Sequence, residues 1–207
     1  NVLLAASVVG RRVDLALLDG VTELEGHLPR MIDELVTAGL LDRDVVDDNE
    51  VVTFHHALVV DVAYSRLVRR QRRELHRKVA ETAEVLYGSG DDVIDLLARH
   101  FYLAEAGVKA VDHLERAAAR ASRLFANDQA ITHHRCAIEL TRATPKLSSR
   151  LPRLLLAVAD VEQLISDYNA AARDYIEALE LTGDVRAWCG LSAVHRKWGD
   201  FDEALRL

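Results

Sequence analysis

The sequence predicts a mainly α protein in two parts: three short helices with one β-hairpin, then a series of antiparallel helical hairpins. Three observations predict it. Apolar residues recur at helical spacing along most of the 207 residues. One stretch, "LLDRDVVDDNEVVTF", switches to short β-branched runs. A small–aromatic–small pattern near the end restarts thirty-three residues later, Asp167 being matched by Asp200.

Taken in order, Val2 to Val9 reads as a short apolar helix ended by Gly10. "DLALLDG" reads as a second, with Gly20 as its stop. "HLPRMIDELVTAGLL" reads as a third: Leu28, Met31, Ile32, Leu35 and Val36 share a face, and Gly39 fits the C-terminal stop. The two β-branched runs that follow are parted by Asp47, Asp48 and Asn49, the residues of a hairpin turn. Three helices and then a hairpin is the order of a winged helix. Beyond it only helices are predicted: His56 to Val68, then Arg72 to Tyr87 with Leu75, Val79, Ala83 and Leu86 inward. "GSGDD" breaks the pattern, and Val93 to Ala106 follows, ended by Gly107.

After Gly107 the repeat begins. "DYNAAARDYIEALEL" sets Ala171, Tyr175 and Ala178 at the small, aromatic and small positions of a tetratricopeptide second helix. "GDFDEAL" restarts it, with Phe201 matching Tyr168 and Ala204 matching Ala171; Trp188 and Leu191 take the Trp and Leu positions of the helix between. An earlier copy carries Leu114, Ala117 and Ala121 on one helix and Ala130 and Ala137 on the next. "TRATPKLSSR" supplies a longer loop between the copies. Small residues let helices approach while Tyr, Trp and Leu fill the gaps, so Tyr168, Tyr175, Trp188 and Phe201 read as repeat core. The expected organisation is a winged-helix domain over 1–62, a helical connector over 63–106 and tetratricopeptide-like repeats over 107–207.

Half of the residues are apolar, which suffices for a sizeable core. The net charge of −7 argues against a chain-wide polyanion-binding surface. Two cysteines, Cys136 and Cys189, are too few for a disulfide framework and suit a reducing cytoplasm. No apolar run approaches the ~20 residues of a membrane span, and no signal-peptide pattern is present. The chain starts and stops inside helical patterns, so a segment of a longer protein is expected.

The order of "LLAASVVGRRVDLALL", "LVTAGLL", "FHHALVVDVAYSRLVRRQRRELHRKVAE" and "HFYLAEAGVKAVDHLERAAARA" resembles the C-terminal half of bacterial STAND-type signalling ATPases. In these an ATPase is followed by a winged helix and tetratricopeptide-like repeats. Class III adenylate/guanylate cyclases with such a region are the most similar, and LuxR-type regulators share the central ATPase. The resemblance implies a regulatory, non-catalytic segment, with ATP or ADP and Mg bound in the preceding ATPase. No G-x-x-x-x-G-K-[ST] loop occurs here. It also implies that His56, in Phe-x-His-Ala-Leu, touches the β-phosphate of ADP, although Ala57 stands where related switches often have Asp. A histidine at a helix start beside free N–H groups suits a phosphate. His56 could equally cap the helix or pack on the hairpin, and His55 reads as solvent-facing.

Other chemistries are weighed on the same residues. His55 and His56 point ~100° apart on a helix and cannot easily chelate one ion, nor can His133 and His134. His133 and Cys136 share a face but lack further ligands, so no metal site is expected. Arg30 on the third helix faces Asp33 and Glu34, and the hairpin carries Asp42, Asp44, Asp47, Asp48 and Glu50 against Arg43, a surface that repels nucleic-acid phosphates. The run Arg66, Arg69, Arg70, Arg72, Arg73, Arg77, Lys78 is either a solvated face or a docking surface for an acidic partner: the acidic hairpin or the ATPase. Arg66, Arg69, Arg70 and Arg73 are its candidate contacts. No catalytic constellation emerges. The partners expected are a protein or peptide on the repeats and the ATPase itself, not a membrane.

Overall fold

The computed structural model describes residues 2–24, 26–46 and 49–206. Among them the chain is mainly helical with one small three-stranded antiparallel sheet, and it divides into two compact units, Asn1–Ala106 and Gly107–Leu207.

The first unit opens with α1 (Val2–Val9), β1 (Arg12–Asp14), α2 (Leu15–Thr22) and α3 (Leu28–Thr37). Strands β2 (Leu41–Val46) and β3 (Asn49–Phe54) follow, then α4 (Ala57–Ser65), α5 (Arg69–Tyr87) and α6 (Ile94–Leu103). The sheet order is β1-β3-β2, so the central strand joins the sheet to the helical core: Val13 pairs with Val52 and Leu41 with Phe54, all four buried. Val46 pairs with Asn49, and the predicted turn residues Asp47 and Asp48 lie outside the described residues. Strand β1 corrects the expectation of a hairpin alone. Three residues are too few to show alternation, and pairing with β3 decides their conformation.

Gly20 does not stop α2, which runs on to Thr22. Its role is close approach: a Cβ there would lie 2.6 Å from Thr82 Cγ2 on α5. The start of α2 is fixed by Asp14, whose carboxylate accepts from the amides of Ala16 (2.7 Å) and Leu17 (3.3 Å). The helix predicted from His56 to Val68 ends at Ser65, and α5 begins at Arg69, three residues earlier than predicted. Between them the chain turns to bury Leu67, and Val68 is extended with its amide donating to Gln71 Oε1 at 3.2 Å. On α5, Val79 and Ala83 are buried as their spacing predicts, but Leu86 is exposed.

The second unit consists of α7 (Val108–Arg123), α8 (Asn127–Ala143), a 3-10 turn (Pro145–Arg150), α9 (Leu151–Leu164), α10 (Tyr168–Thr182), α11 (Val185–Trp198) and α12 (Phe201–Arg206). Each helix packs on the next as a helical hairpin. Gly107 precedes α7 rather than closing α6, which ends at Leu103 with Ala104 as its C-cap. The faces predicted from small-residue spacing are buried: Leu114, Ala117, Ala121, Ala130, Ala137, Ala171, Tyr175, Ala178, Leu191 and Ala204. Trp188 and Phe201 are exposed and Tyr168 half-buried, so of the four aromatic residues expected in the core only Tyr175 lies there.

One turn geometry recurs. Helices α6, α7, α9 and α11 end at residues of positive φ, namely Glu105 (51°), Phe125 (57°), Ser166 (66°) and Gly199 (80°). In each case the next amide reaches back five residues: Ala106 to Phe101, Ala126 to Ala121, Asp167 to Glu162 and Asp200 to His195, at 2.9–3.0 Å. Asp167 and Asp200 then cap the following helices, accepting from Ala170 N (3.1 Å) and Glu203 N (3.3 Å).

Candidate functional site

The start of α4 carries the first candidate. His56 is its N-cap residue in extended conformation (φ −125°), exposed, and its ring makes no hydrogen bond to the helix N–H groups. Its ring meets that of His55 edge-on at 4.5 Å. His55, expected to face solvent, is half-exposed and ties the chain to β2 through Nδ1, 3.0 Å from Asp42 Oδ2. His56 is thus presented outward beside a free helix end, and neither capping nor packing on the sheet occupies its ring.

The arginine run divides. Arg69 and Arg73 both bind Glu105, at 2.8 and 3.2 Å, joining the start of α5 to the turn after α6. Arg72 lies 4.6 Å over the Tyr64 ring and donates to Ser65 O at 3.2 Å. Lys78 binds Glu23 at 3.0 Å. Arg66, Arg70 and Arg77 are exposed and form no ion pair among the described residues. So Arg69 and Arg73 are engaged with Glu105, whereas Arg66 and Arg70 are exposed and make no ion pair among the described residues. Among the described residues the hairpin acids make no ion pair with this run: Asp42 holds His55, while Arg43 reaches back to Asp33 at 3.3 Å and Arg30 pairs with Glu34.

Behind the arginines lies a buried polar chain that the sequence reading did not single out. Tyr64 OH is 3.0 Å from His76 Nε2, and His76 Nδ1 is 2.9 Å from His100 Nδ1. Both imidazoles are buried. One Nδ1 donates and the other accepts, which two neutral rings satisfy. Burial, with Arg99 and Arg72 nearby, lowers His76 to about 4; burial, with His76 and Arg99, lowers His100 to about 3. The unfolded chain takes up protons below about 6.5. The folded chain does not until these lower values. Stability is therefore full above pH 6.5 and falls as pH drops toward 4, by roughly 1.4 kcal/mol per pH unit for each ring. Urea unfolding of the first unit at pH 7, 6 and 5 is expected to show a falling midpoint. His76→Gln should flatten that fall; an unchanged slope would contradict it. The available signal was spacing: His76 shares its face with Val79, Ala80 and Ala83.

A cleft of about 320 Å³ opens between α1, α2, α3 and α5, lined by apolar residues including Val2, Val21, Met31 and Leu67, with Glu74 and Lys78 contributing charge. Among the described residues no group of three or more His, Cys, Asp or Glu is arranged to hold a metal, and no helix is long and apolar enough to cross a membrane. Cys136 and Cys189 form no disulfide with one another.

In the second unit, Val185, Trp188 and Cys189 form an exposed stripe on α11 at helical spacing. Its backing is rigid: Tyr175 of α10 is buried with its hydroxyl 2.6 Å from Asp160 Oδ1 and 3.1 Å from Gln163 Oε1, and its ring lies against Gly190. Arg142–Glu177, Arg150–Asp112 and Arg153–Glu115 tie neighbouring helices at the surface. No protein-family model matches the chain, and a search of curated proteins finds no match.

Proposed function

We propose that the chain is a non-catalytic regulatory and protein-interaction segment of a larger ATP-dependent signalling protein. In this reading the first unit is a winged-helix module (1–62) that docks on an ATPase, followed by a helical connector (63–106), and the second is a tetratricopeptide-like array that takes a protein or peptide. The observation that carries it is the register of the turns. Ser166 and Gly199 hold the same left-handed conformation thirty-three residues apart, and the aspartate after each caps the next helix through the same bond. Stacked units of fixed period present extended surfaces to partners. The stripe Val185–Trp188–Cys189 is the apolar seat, since an exposed aromatic anchor on a rigid helix is what dominates protein interfaces.

Binding on the array would shift an equilibrium between closed and open ATPase states by its differential affinity for the two. Arg66 and Arg70 would meet acidic groups of the ATPase, and His56 a nucleotide phosphate held there together with Mg. Resemblance to adenylate/guanylate cyclases makes a second messenger the favoured output. Site-specific photo-crosslinking from position 188 in the intact chain tests the reading; one protein adduct of defined mass is expected from that position.

A further inference from the structure

Helices α8, α9 and α10 each send one charged side chain to a common point inside the second unit. Glu162 Oε1 and Asp174 Oδ2 both lie 2.5 Å from Arg135 Nη2, and Asp174 Oδ1 lies 3.0 Å from Nη1. The carboxylate side chains are 4% and 6% exposed. Two ionised carboxylates do not fit this arrangement. One guanidinium leaves a negative charge in excess, and excess charge in an interior is costly. Glu162 Oε2 is also buried with no hydrogen-bond partner among the described residues. A charged acceptor left in that state loses its hydration without return.

A single proton resolves both. On Glu162 Oε2 it cancels the excess charge and converts an orphan acceptor into a donor, with the Asp174 carboxylate converging on the same guanidinium to receive it. We propose that Glu162 carries a proton at neutral pH, shared with Asp174, and that this proton closes the joint between the hairpin α7–α8 and the hairpin α9–α10. Mildly alkaline pH removes it and loosens the joint.

The charges acting on Glu162 are Asp174, from α10, and Arg135, from α8. Tyr175, also from α10, stays neutral, because burial and its bond to Asp160 raise it. Burial pushes Glu162 up to about 7, and hydrogen bonding to Asp174 adds to this while Arg135 opposes it. A carboxyl raised in the folded state stabilises fully below its unfolded value and loses that contribution as pH rises through the folded one. The window runs from about 4.5 to about 7. It is opposite in sign to that of the buried histidines.

The test uses the full chain labelled at the glutamate carboxyl carbon. The Glu162 signal is expected to titrate near neutrality; titration below pH 5 would overturn the proposal. Glu162→Gln is neutral at every pH. Its folding constant relative to wild type is expected to rise by about tenfold or more between pH 5.5 and pH 8. A flat ratio would equally overturn it, and if this variant does not fold the carbon titration of the unaltered chain decides alone.

Discussion

Arg135→Ala is expected to destabilise the second unit by roughly 2–4 kcal/mol at pH 7. Removing one partner of a buried ion cluster typically costs about 3–5 kcal/mol, because the remaining charge is left without compensation. The lower figure applies because the Arg135 side chain is 39% exposed and water screens it, whereas Glu162 and Asp174 are almost fully enclosed. Truncation takes away the three hydrogen bonds by which Arg135 holds two helices at once. The cost should shrink at pH 5, where Glu162 is fully protonated and one carboxylate fewer is left without a counter-ion. Urea unfolding of variant and wild type at both pH values measures it, and a cost that grew on acidification would contradict this account of the joint.

Gly190→Ala is the second large effect. Inside an exposed helix, alanine would be favoured over glycine by about 0.5–1 kcal/mol. Here the new Cβ would clash with Cε1 and Cζ of Tyr175, a ring that is buried and held by its hydroxyl. Neither the ring nor α11 can yield freely, so overpacking reverses the sign, with a net loss of about 1–3 kcal/mol. Tyr175→Leu alone should also destabilise, by leaving space and removing the hydroxyl's bonds to Asp160 and Gln163. The two changes together should cost less than their sum, because the smaller side chain admits the methyl group. Thermal unfolding of the four proteins of this cycle gives the coupling; additivity would show that ring and glycine do not press on one another.

Much of the second unit was legible because its packing is periodic. Ala130, Ala137, Ala171 and Ala178 recur at helix contacts, and small residues there serve only close approach. The turns repeat because Ser166 and Gly199 occupy equivalent places before a capping aspartate. Trp188 was misread because spacing reveals a face and not what covers it. Gly20 was taken for a helix stop, since sequence cannot separate a glycine needed for its backbone from one needed for the space its missing side chain leaves. At Gly20 the neighbour is Thr82, distant in sequence. Strand β1 escaped because Phe54 N and Arg11 O, joined at 3.0 Å, meet only in the fold. His76, His100, Glu162 and Asp174 were passed over as polar residues on helices. Their partners lie on other helices, and their burial is visible only in the fold. Of the candidate contacts, the structure binds Arg69 and Arg73 to Glu105 and leaves His56, Arg66 and Arg70 outward.

The proposed role stands or falls on where a partner touches the chain. A photo-reactive amino acid placed at position 188, in the exposed stripe of α11, and in a second preparation at the more exposed Leu58 of α4, reports that contact directly. The account predicts a discrete protein adduct from position 188 that is lost when Val185 is changed to glutamate. An adduct unaffected by that change, or none from position 188 while Leu58 captures the partner, would contradict it.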